Sequence, residues 1–159
     1  MCRCTRNWFT PAADEHGGVE LVVGVVLYNF VKEHKLGKVR VGETGVYTGR
    51  NPDTVRGLDV LFISNERYAQ KKSKSFLDVA PDLAVEILSP GNTWEEMIQK
   101  MREYFSIGIK LVWIVSPTAR TVFAYRSLTD VREFTDADDL PGDDVLPGFS
   151  VPVASLFED

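Results

Sequence analysis

A carboxylate inside an otherwise apolar segment is the feature that most restricts how this chain can fold. Residues 81–90 have the sequence PDLAVEILSP, in which Glu86 interrupts a run of aliphatic side chains. A short apolar run bounded by proline and glycine predicts a strand that is buried on both faces. Because burying an isolated carboxylate costs several kcal/mol, we expect Glu86 to have a partner in the fold.

A second predicted strand has the same feature. Residues 55–64 have the sequence VRGLDVLFIS, in which Asp59 is the one carboxylate. Asp82 is a less suitable companion for Glu86, because four residues of extended chain span about 13 Å. Two buried carboxylates repel each other unless a cation lies between them. Hard oxygen ligands favour Mg²⁺ or Mn²⁺ over Zn²⁺, so Asp59 and Glu86 together indicate a divalent-metal site.

A lysine follows the Glu86 strand at a distance that suits the same site. Thr93 and Glu96 predict a capping box that opens a helix, and Lys100 lies on that helix. Two carboxylates, a cation and a lysine suit metal-assisted hydrolysis of a phosphodiester, in which the lysine orients water or stabilises charge on the phosphate. The same residues are equally compatible with a structural ion pair between Glu86 and either Lys100 or Arg56.

The other patterns predict an α/β domain with a mixed central sheet and helices on its faces. Apolar residues at helical spacing predict a helix over residues 15–35. KVRVGETGVYTG predicts two short strands around Gly42–Gly45, and KLVWIVS with TVFAYRS predicts a hairpin. The closing segment predicts a loop, a short edge strand and a final helical turn. We expect a single domain over residues 16–159 after an irregular segment 1–15.

Composition and charge exclude several classes of function. No apolar run approaches the roughly 20 residues of a membrane span, so we expect a cytoplasmic protein that does not contact membranes. The net charge of −5 argues against a protein that coats nucleic acid nonspecifically. Cys2 and Cys4 alone are a weak metal signal. Neither a G-x-S-x-G sequence nor a P-loop occurs, which argues against serine hydrolases and P-loop enzymes.

Several segments together resemble a known family. PDLAVEILSP is followed by a lysine on the next helix, then by a tyrosine, a glycine, LVWIVSP and finally LPGF. From His16 to Phe157 the chain resembles the Uma-two family of putative restriction endonucleases, which belongs to the PD-(D/E)XK nuclease superfamily. The resemblance implies a restriction-endonuclease-like fold, a mixed β-sheet flanked by helices. It also implies an endonuclease that hydrolyses DNA with Mg²⁺ or Mn²⁺ as its cofactor.

The resemblance assigns the catalytic roles residue by residue. Asp59 and Glu86 match the family's two acids and are the expected metal ligands. Asp59 stands in R-G-L-D, where the family has R-x-P-D. The lysine of the superfamily's strand motif is missing, because Ile87 and Leu88 follow Glu86. Lys100 on the next helix takes the place of that lysine.

The resemblance and the loop composition add further candidates. Asp82 matches the family's Pro-Asp pair, and Glu20 on the first helix matches an extra acid of many superfamily nucleases. Both are candidates to support the metal ligands. The alternative for Asp82 is a cap on the entry to its strand, and a solvent-facing helix glutamate is the commoner explanation for Glu20. Lys71, Lys72 and Lys74 lie in the loop that joins the two acid-bearing strands, and they are candidate phosphate contacts.

Two classes of function remain open at this stage. The first is a Mg²⁺-dependent endonuclease acting on DNA. The second is a catalytically degenerate relative that keeps the nuclease fold to bind nucleic acid or a protein partner. A homodimer is compatible with either class. His16 and His34 have no nucleophile partner, so we expect surface roles for both at the ends of the first helix.

Overall fold

The computed structural model describes residues 13–158, and a six-stranded mixed sheet forms its centre. The strands are β1 (Gly37–Gly49), β2 (Thr54–Ser64), β3 (Leu83–Ile87), β4 (Leu111–Ser116), β5 (Thr121–Ser127) and β6 (Asp130–Phe134). They lie in the order β1-β2-β3-β4-β5-β6. Strands β3 and β4 are parallel, and all other neighbours are antiparallel. The prediction of an α/β fold with a mixed sheet is confirmed.

Helices cover the sheet, and a small second sheet completes the fold. The helices are α1 (Asp14–Glu33), α2 (Asn65–Tyr68), α3 (Trp94–Ser106) and a 3₁₀ helix, Val153–Phe157. Strands β7 (Asp139–Pro141) and β8 (Ser150–Pro152) form the antiparallel two-stranded sheet. None of the described helices is long and apolar enough to cross a membrane.

The two faces of the central sheet pack against different helices. One apolar cluster contains the buried stripe of α1, in which Val19, Val23 and Leu27 recur at helical spacing. The other contains the α3 residues Met97 and Met101. Successive residues of β3 point to opposite faces of the sheet, and both faces are covered by an apolar cluster. Every residue of this strand is therefore buried. The aliphatic run around Glu86 is therefore a strand with no solvent-facing side, as predicted.

Helix α3 begins and ends at the residues that the sequence indicates. The Thr93 hydroxyl accepts a hydrogen bond from the Glu96 N–H, and the Glu96 carboxylate accepts one from the Thr93 N–H. Gly108 follows the helix with a φ of +96°, a conformation that glycine adopts at little cost. Since α3 connects the parallel strands β3 and β4, it crosses back over the sheet and carries Lys100 toward the end of β3.

The structure corrects several predicted elements. Residues 37–49 form one long strand rather than two short ones, because pairing with β2 continues on both sides of an irregularity at Gly42 and Glu43. Helix α2 and strands β6 and β7 were not predicted, since each is too short or too polar to give a clear periodicity. Helix α1 begins at Asp14, inside the segment expected to be irregular. Residues 1–12 of that segment, including Cys2 and Cys4, lie outside the described residues.

Candidate active site

Asp59 lies where the regular pairing of β2 is interrupted on both sides. On one side, β1 has two residues, Gly42 and Glu43, opposite this single position. Both have positive φ values, as expected in a β-bulge. On the other side, the ladder between β2 and β3 ends at the pair Val60 and Val85, next to Asp59 and Glu86. The two acids therefore lie on neighbouring strands, as the sequence predicts.

The Asp59 carboxylate fills the gap in this ladder. Its Oδ2 atom accepts a hydrogen bond of 2.7 Å from the backbone N–H of Ile87, the residue after Glu86. Only 5% of Asp59 is exposed. A side-chain oxygen thus takes the place of a strand carbonyl, which fixes Asp59 against the end of β3 and beside Glu86.

Glu86 faces α3 and is held by two side chains of that helix. Its Oε1 atom accepts a 2.5 Å hydrogen bond from the Tyr104 hydroxyl, and its Oε2 atom is 2.9 Å from Lys100 Nζ. Only 3% of Glu86 is exposed, which confirms the burial inferred from the sequence. Of the two structural partners considered for Glu86, Lys100 is the one observed. Arg56 instead forms a bidentate pair with Glu103, with two N–O distances of 2.7 Å.

Burial dominates the protonation of Glu86. Loss of water raises its pKa to about 6, and the negative charge of Asp59 acts in the same direction. Attraction to Lys100 and the Tyr104 hydrogen bond lower the pKa, but they do not offset the burial. The ionised carboxylate is thus less stable here than in water, despite its two partners. Such a residue is more typical of a functional site than of a stabilising ion pair.

Lys100 and Tyr104 both keep their protons in this arrangement. Burial acts to lower the pKa of Lys100, but the adjacent Glu86 carboxylate outweighs it and the pKa is raised. Burial and the charge of Glu86 raise the pKa of Tyr104 far above its ordinary value. Both side chains are therefore donors to Glu86, and neither is a base.

His16 and Glu20 approach the site from α1. His16 is only 9% exposed, and its Nε2 atom lies 3.4 Å from Asp59 Oδ2. Its Nδ1 atom lies 3.8 Å from Glu20 Oε2. Glu20 is held by a 2.7 Å hydrogen bond from the Gly42 N–H in the β1 bulge, and burial raises its pKa. The expected surface role of His16 is therefore wrong, and Glu20 does not simply face solvent.

The structure separates Asp82 from the other predicted site residues. Asp82 precedes β3, at the opposite end of the strand from Glu86. Its carboxylate accepts a 2.7 Å hydrogen bond from the Ser64 N–H and lies 3.3 Å from Arg67 Nε and 3.1 Å from Lys110 Nζ. These contacts anchor the start of β3 and do not support the role expected for Asp82 beside the metal ligands.

The lysine-containing loop is also separate from the acids. Lys72 and Lys74 are exposed, and the Lys71 amine donates a hydrogen bond to the Ser73 carbonyl. Within residues 13–158, no ion pair joins any of these three lysines to Asp59 or Glu86. His34 is exposed at the end of α1, as expected, with its Nδ1 atom 2.9 Å from the Phe30 carbonyl oxygen.

The donor set suits a hard divalent cation, although the ligands are not yet gathered. Across residues 13–158, no three His, Cys, Asp or Glu side chains are already grouped closely enough to hold a metal ion. Asp59 and Glu86 are nonetheless buried carboxylates at one strand end, and His16 Nδ1 beside them is a buried polar atom without a hydrogen-bond partner. A cation that attracts Glu86 away from Lys100 would stabilise charges that burial destabilises.

Comparison with known proteins identifies the family. A sequence profile whose description is "Uma2: Putative restriction endonuclease" matches residues 8–154. This chain belongs to the Uma2 family. No curated protein matches the sequence.

The Uma2 chain also resembles a solved structure. Its fold is similar to the 1.96 Å crystal structure of a putative nuclease belonging to DUF820 from Anabaena variabilis ATCC 29413, with a TM-score of 0.78. The two sequences are 19% identical, and the match covers 94% of this chain and 83% of that chain. At this identity the similarity establishes the fold, which is a restriction-endonuclease-like mixed sheet flanked by helices.

The burial of Glu86 leads to a stability prediction of definite sign. Because the pKa of Glu86 is about 6 in the folded protein and exceeds the ordinary 4.5, the contribution of Glu86 to wild-type stability falls as pH rises through this window. Glu86→Gln does not titrate. The unfolding free energy of Glu86→Gln minus that of wild type should therefore increase by roughly 2 kcal/mol between about pH 4 and about pH 7. Urea unfolding in the presence of EDTA measures this difference.

Glu103→Gln is the matched control, because it removes a glutamate whose pKa shift has the opposite sign. Hydrogen bonds from Arg56 lower the pKa of Glu103 to about 2. The ionised form of Glu103 therefore stabilises the fold above the pKa that this group has in the unfolded chain. The unfolding free energy of Glu103→Gln minus that of wild type should decrease as pH rises. If the stability difference between Glu86→Gln and wild type does not change with pH, or changes in the same direction as that of Glu103→Gln, this description of Glu86 is wrong.

Proposed function

We propose that this chain is a divalent-metal-dependent endonuclease that hydrolyses DNA phosphodiester bonds, with Asp59 and Glu86 as metal ligands and Lys100 as a catalytic residue. The observation that carries the proposal lies where β2 and β3 separate. Asp59 accepts the N–H of Ile87, the residue after Glu86, and Glu86 pairs with Lys100. The two carboxylates come from adjacent strands, and the lysine comes from the helix that follows the second strand. Membership in the Uma2 family, which is described as a family of putative restriction endonucleases, supports a nuclease reaction.

Each proposed catalytic group has a chemical role that its surroundings permit. Mg²⁺ or Mn²⁺ bound by Asp59 and Glu86 would acidify water and offset negative charge on the phosphate. Ile87 holds Asp59, and Tyr104 holds Glu86, so the two carboxylates keep their places without a cation. This preorganisation lowers the cost of assembling the site when substrate arrives.

Lys100 acts as a positive charge rather than as a base. Its raised pKa keeps the amine protonated at neutral pH. A surface groove of about 420 Å³ reaches Lys100 between Arg56 and Asn92, so an anionic group can approach the amine from solvent. Once a cation neutralises Glu86, the amine is free to donate to a phosphate oxygen as charge develops in the transition state.

The loop lysines are proposed DNA contacts, and salt dependence tests them. Replacing Lys71, Lys72 and Lys74 with glutamine should weaken DNA binding and reduce the slope of log K against log salt by roughly one per lost phosphate contact. Fluorescence anisotropy with a labelled duplex, in Ca²⁺ or without metal, measures the slope. Replacing Lys32 and Lys35, which are exposed at the C-terminal end of α1, is the control for loss of positive charge elsewhere on the surface. An unchanged slope in the loop variant means that the loop is only a solvated group of charges.

Cleavage of supercoiled plasmid DNA tests the proposed activity. The purified protein should nick or linearise the plasmid with Mg²⁺ or Mn²⁺. Cleavage should stop in EDTA and resume when the metal is restored.

One observation favours the alternative, a catalytically degenerate module that binds nucleic acid or a protein. Both oxygens of Glu86 already have partners in Lys100 and Tyr104. Stable folding together with no metal-dependent cleavage of plasmid DNA would favour that alternative.

A further inference from the structure

His16 lies between two carboxylates and is not hydrogen-bonded to either one. Its Nε2 atom is 3.4 Å from Asp59 Oδ2, and its Nδ1 atom is 3.8 Å from Glu20 Oε2. His16 Nδ1 is buried, and it has no hydrogen-bond partner among residues 13–158. Asp59 Oδ2 already accepts the Ile87 N–H at 2.7 Å. Glu20 is likewise held, through Gly42, so the imidazole is fixed between two anchored acids.

A neutral imidazole cannot satisfy both neighbours by itself. It carries one N–H and one lone pair, so in either tautomer a lone pair faces a carboxylate oxygen. The tautomer with its proton on Nδ1 directs that proton toward Glu20 and the Nε2 lone pair toward Asp59. Metal-binding histidines commonly have this arrangement, in which a carboxylate accepts the second N–H and orients the ring. A cation between His16 Nε2 and Asp59 removes the conflict between the two lone pairs.

We propose that His16 is a nitrogen ligand of the cation bound at Asp59 and Glu86, with Glu20 as the residue that orients its ring. This inference rests on the proposed function, since it assigns a third ligand to the same cation. Glu20 and Gly17 line a surface groove beside α1, so the Glu20 side of this cluster borders solvent.

A nitrogen ligand has a consequence for which ion the site prefers. Imidazole binds first-row transition-metal ions, including Mn²⁺, better than it binds Mg²⁺, which favours oxygen ligands and keeps much of its water. With His16 in the ligand set, the site binds Mn²⁺ more tightly than Mg²⁺. A site made of Asp59 and Glu86 alone discriminates between these two ions much less.

Two measurements on the full-length protein test this ligand without relying on activity. Electron spin-echo spectroscopy of the protein with one equivalent of Mn²⁺ should detect coupling to an imidazole nitrogen. Calorimetric titration should give a Kd for Mn²⁺ that rises about 10-fold or more in His16→Asn, because even loss of a residue that orients a ligand costs about 10–100-fold in affinity. The Kd for Mg²⁺ should change much less. His34→Asn is the control, because His34 is an exposed histidine at the other end of the same helix.

The outcomes separate this inference from the function on which it rests. Loss of the nitrogen signal in His16→Asn, with the signal intact in His34→Asn, supports it. Mn²⁺ binding that requires Asp59 but has no nitrogen coupling in the wild-type protein overturns the inference and leaves the proposed metal site standing. Absence of any Mn²⁺ binding to the wild-type protein overturns both. The spectrum of the wild-type protein is decisive even where His16→Asn fails to fold.

Discussion

Asp59→Asn and Glu86→Gln should each reduce metal-dependent DNA cleavage by about 1,000-fold or more, which corresponds to roughly 4 kcal/mol of transition-state stabilisation. Each substitution keeps the size and most of the hydrogen bonding of the side chain but removes one of the two charges that hold the cation. Asparagine can still accept the Ile87 N–H, so the end of β3 should keep its position. Single-turnover cleavage of plasmid DNA at saturating Mg²⁺ or Mn²⁺ measures the loss.

Asp82→Asn is the matched control for these variants. Asp82 is as buried as Glu86 and precedes the same strand, but its partners are Ser64, Arg67 and Lys110. Its substitution should lower stability and leave the cleavage rate of the folded protein close to wild type. Equal losses of cleavage in the Asp82 and Glu86 variants would mean that buried charge, rather than metal binding, explains the effect.

Lys100→Met should lower kcat by roughly 100- to 1,000-fold, the range observed when one preorganised donor to transition-state charge is removed. Methionine keeps the aliphatic stem and removes the amine. Cation affinity should stay the same or increase, because Glu86 no longer has a competing positive partner at 2.9 Å. Cleavage kinetics and Mn²⁺ titration of the same preparation separate the two effects.

Lys110→Met provides the comparison for the lysine. Lys110 also pairs with a buried carboxylate, Asp82, at an N–O distance of 3.1 Å, but at the other end of β3. Its substitution should not change kcat. If Lys100→Met weakens the cation affinity as much as it lowers kcat, then Lys100 organises the site and does not act in the transition state.

The residues that the sequence revealed are those that break a local pattern. Glu86 and Asp59 each interrupt an aliphatic strand, and a buried charge is conspicuous in any such run. Lys100 could be placed because a predicted capping box fixed the start of its helix, and both cap hydrogen bonds are present. The mixed sheet followed from strands whose apolar content required cover on both faces.

The residues that the sequence did not reveal conform to their local pattern. Tyr104 has helical spacing with Met97 and Met101, which predicts a place in the apolar stripe of α3. Only the fold brings its hydroxyl to Glu86. His16 shares one helix face with Glu20, four residues later, and of these two only Glu20 was a candidate, through the family resemblance. That spacing gives neither their burial nor their approach to Asp59, because both depend on how α1 packs across the sheet.

The β1 bulge was hidden for a different reason. Glycines at positions 42 and 45 are typical of a turn between two strands, and the local sequence does not distinguish a turn from a bulge in a continuous strand. The distinction is made by pairing with β2, which resumes at Thr44 after the irregularity. Asp82 became a candidate beside the metal ligands only through the family resemblance, since its spacing along an extended strand already separates it from Glu86.

Anomalous diffraction from crystals containing Mn²⁺ is the most direct test of the metal site. The proposed function predicts one anomalous peak between the carboxylates of Asp59 and Glu86, within about 2.5 Å of an oxygen of each. Lys100 Nζ should then have moved away from Glu86 Oε2. No peak at this position in crystals soaked at cation concentrations that support cleavage, with Lys100 Nζ still 2.9 Å from Glu86 Oε2, would contradict the assignment of Asp59 and Glu86 as metal ligands.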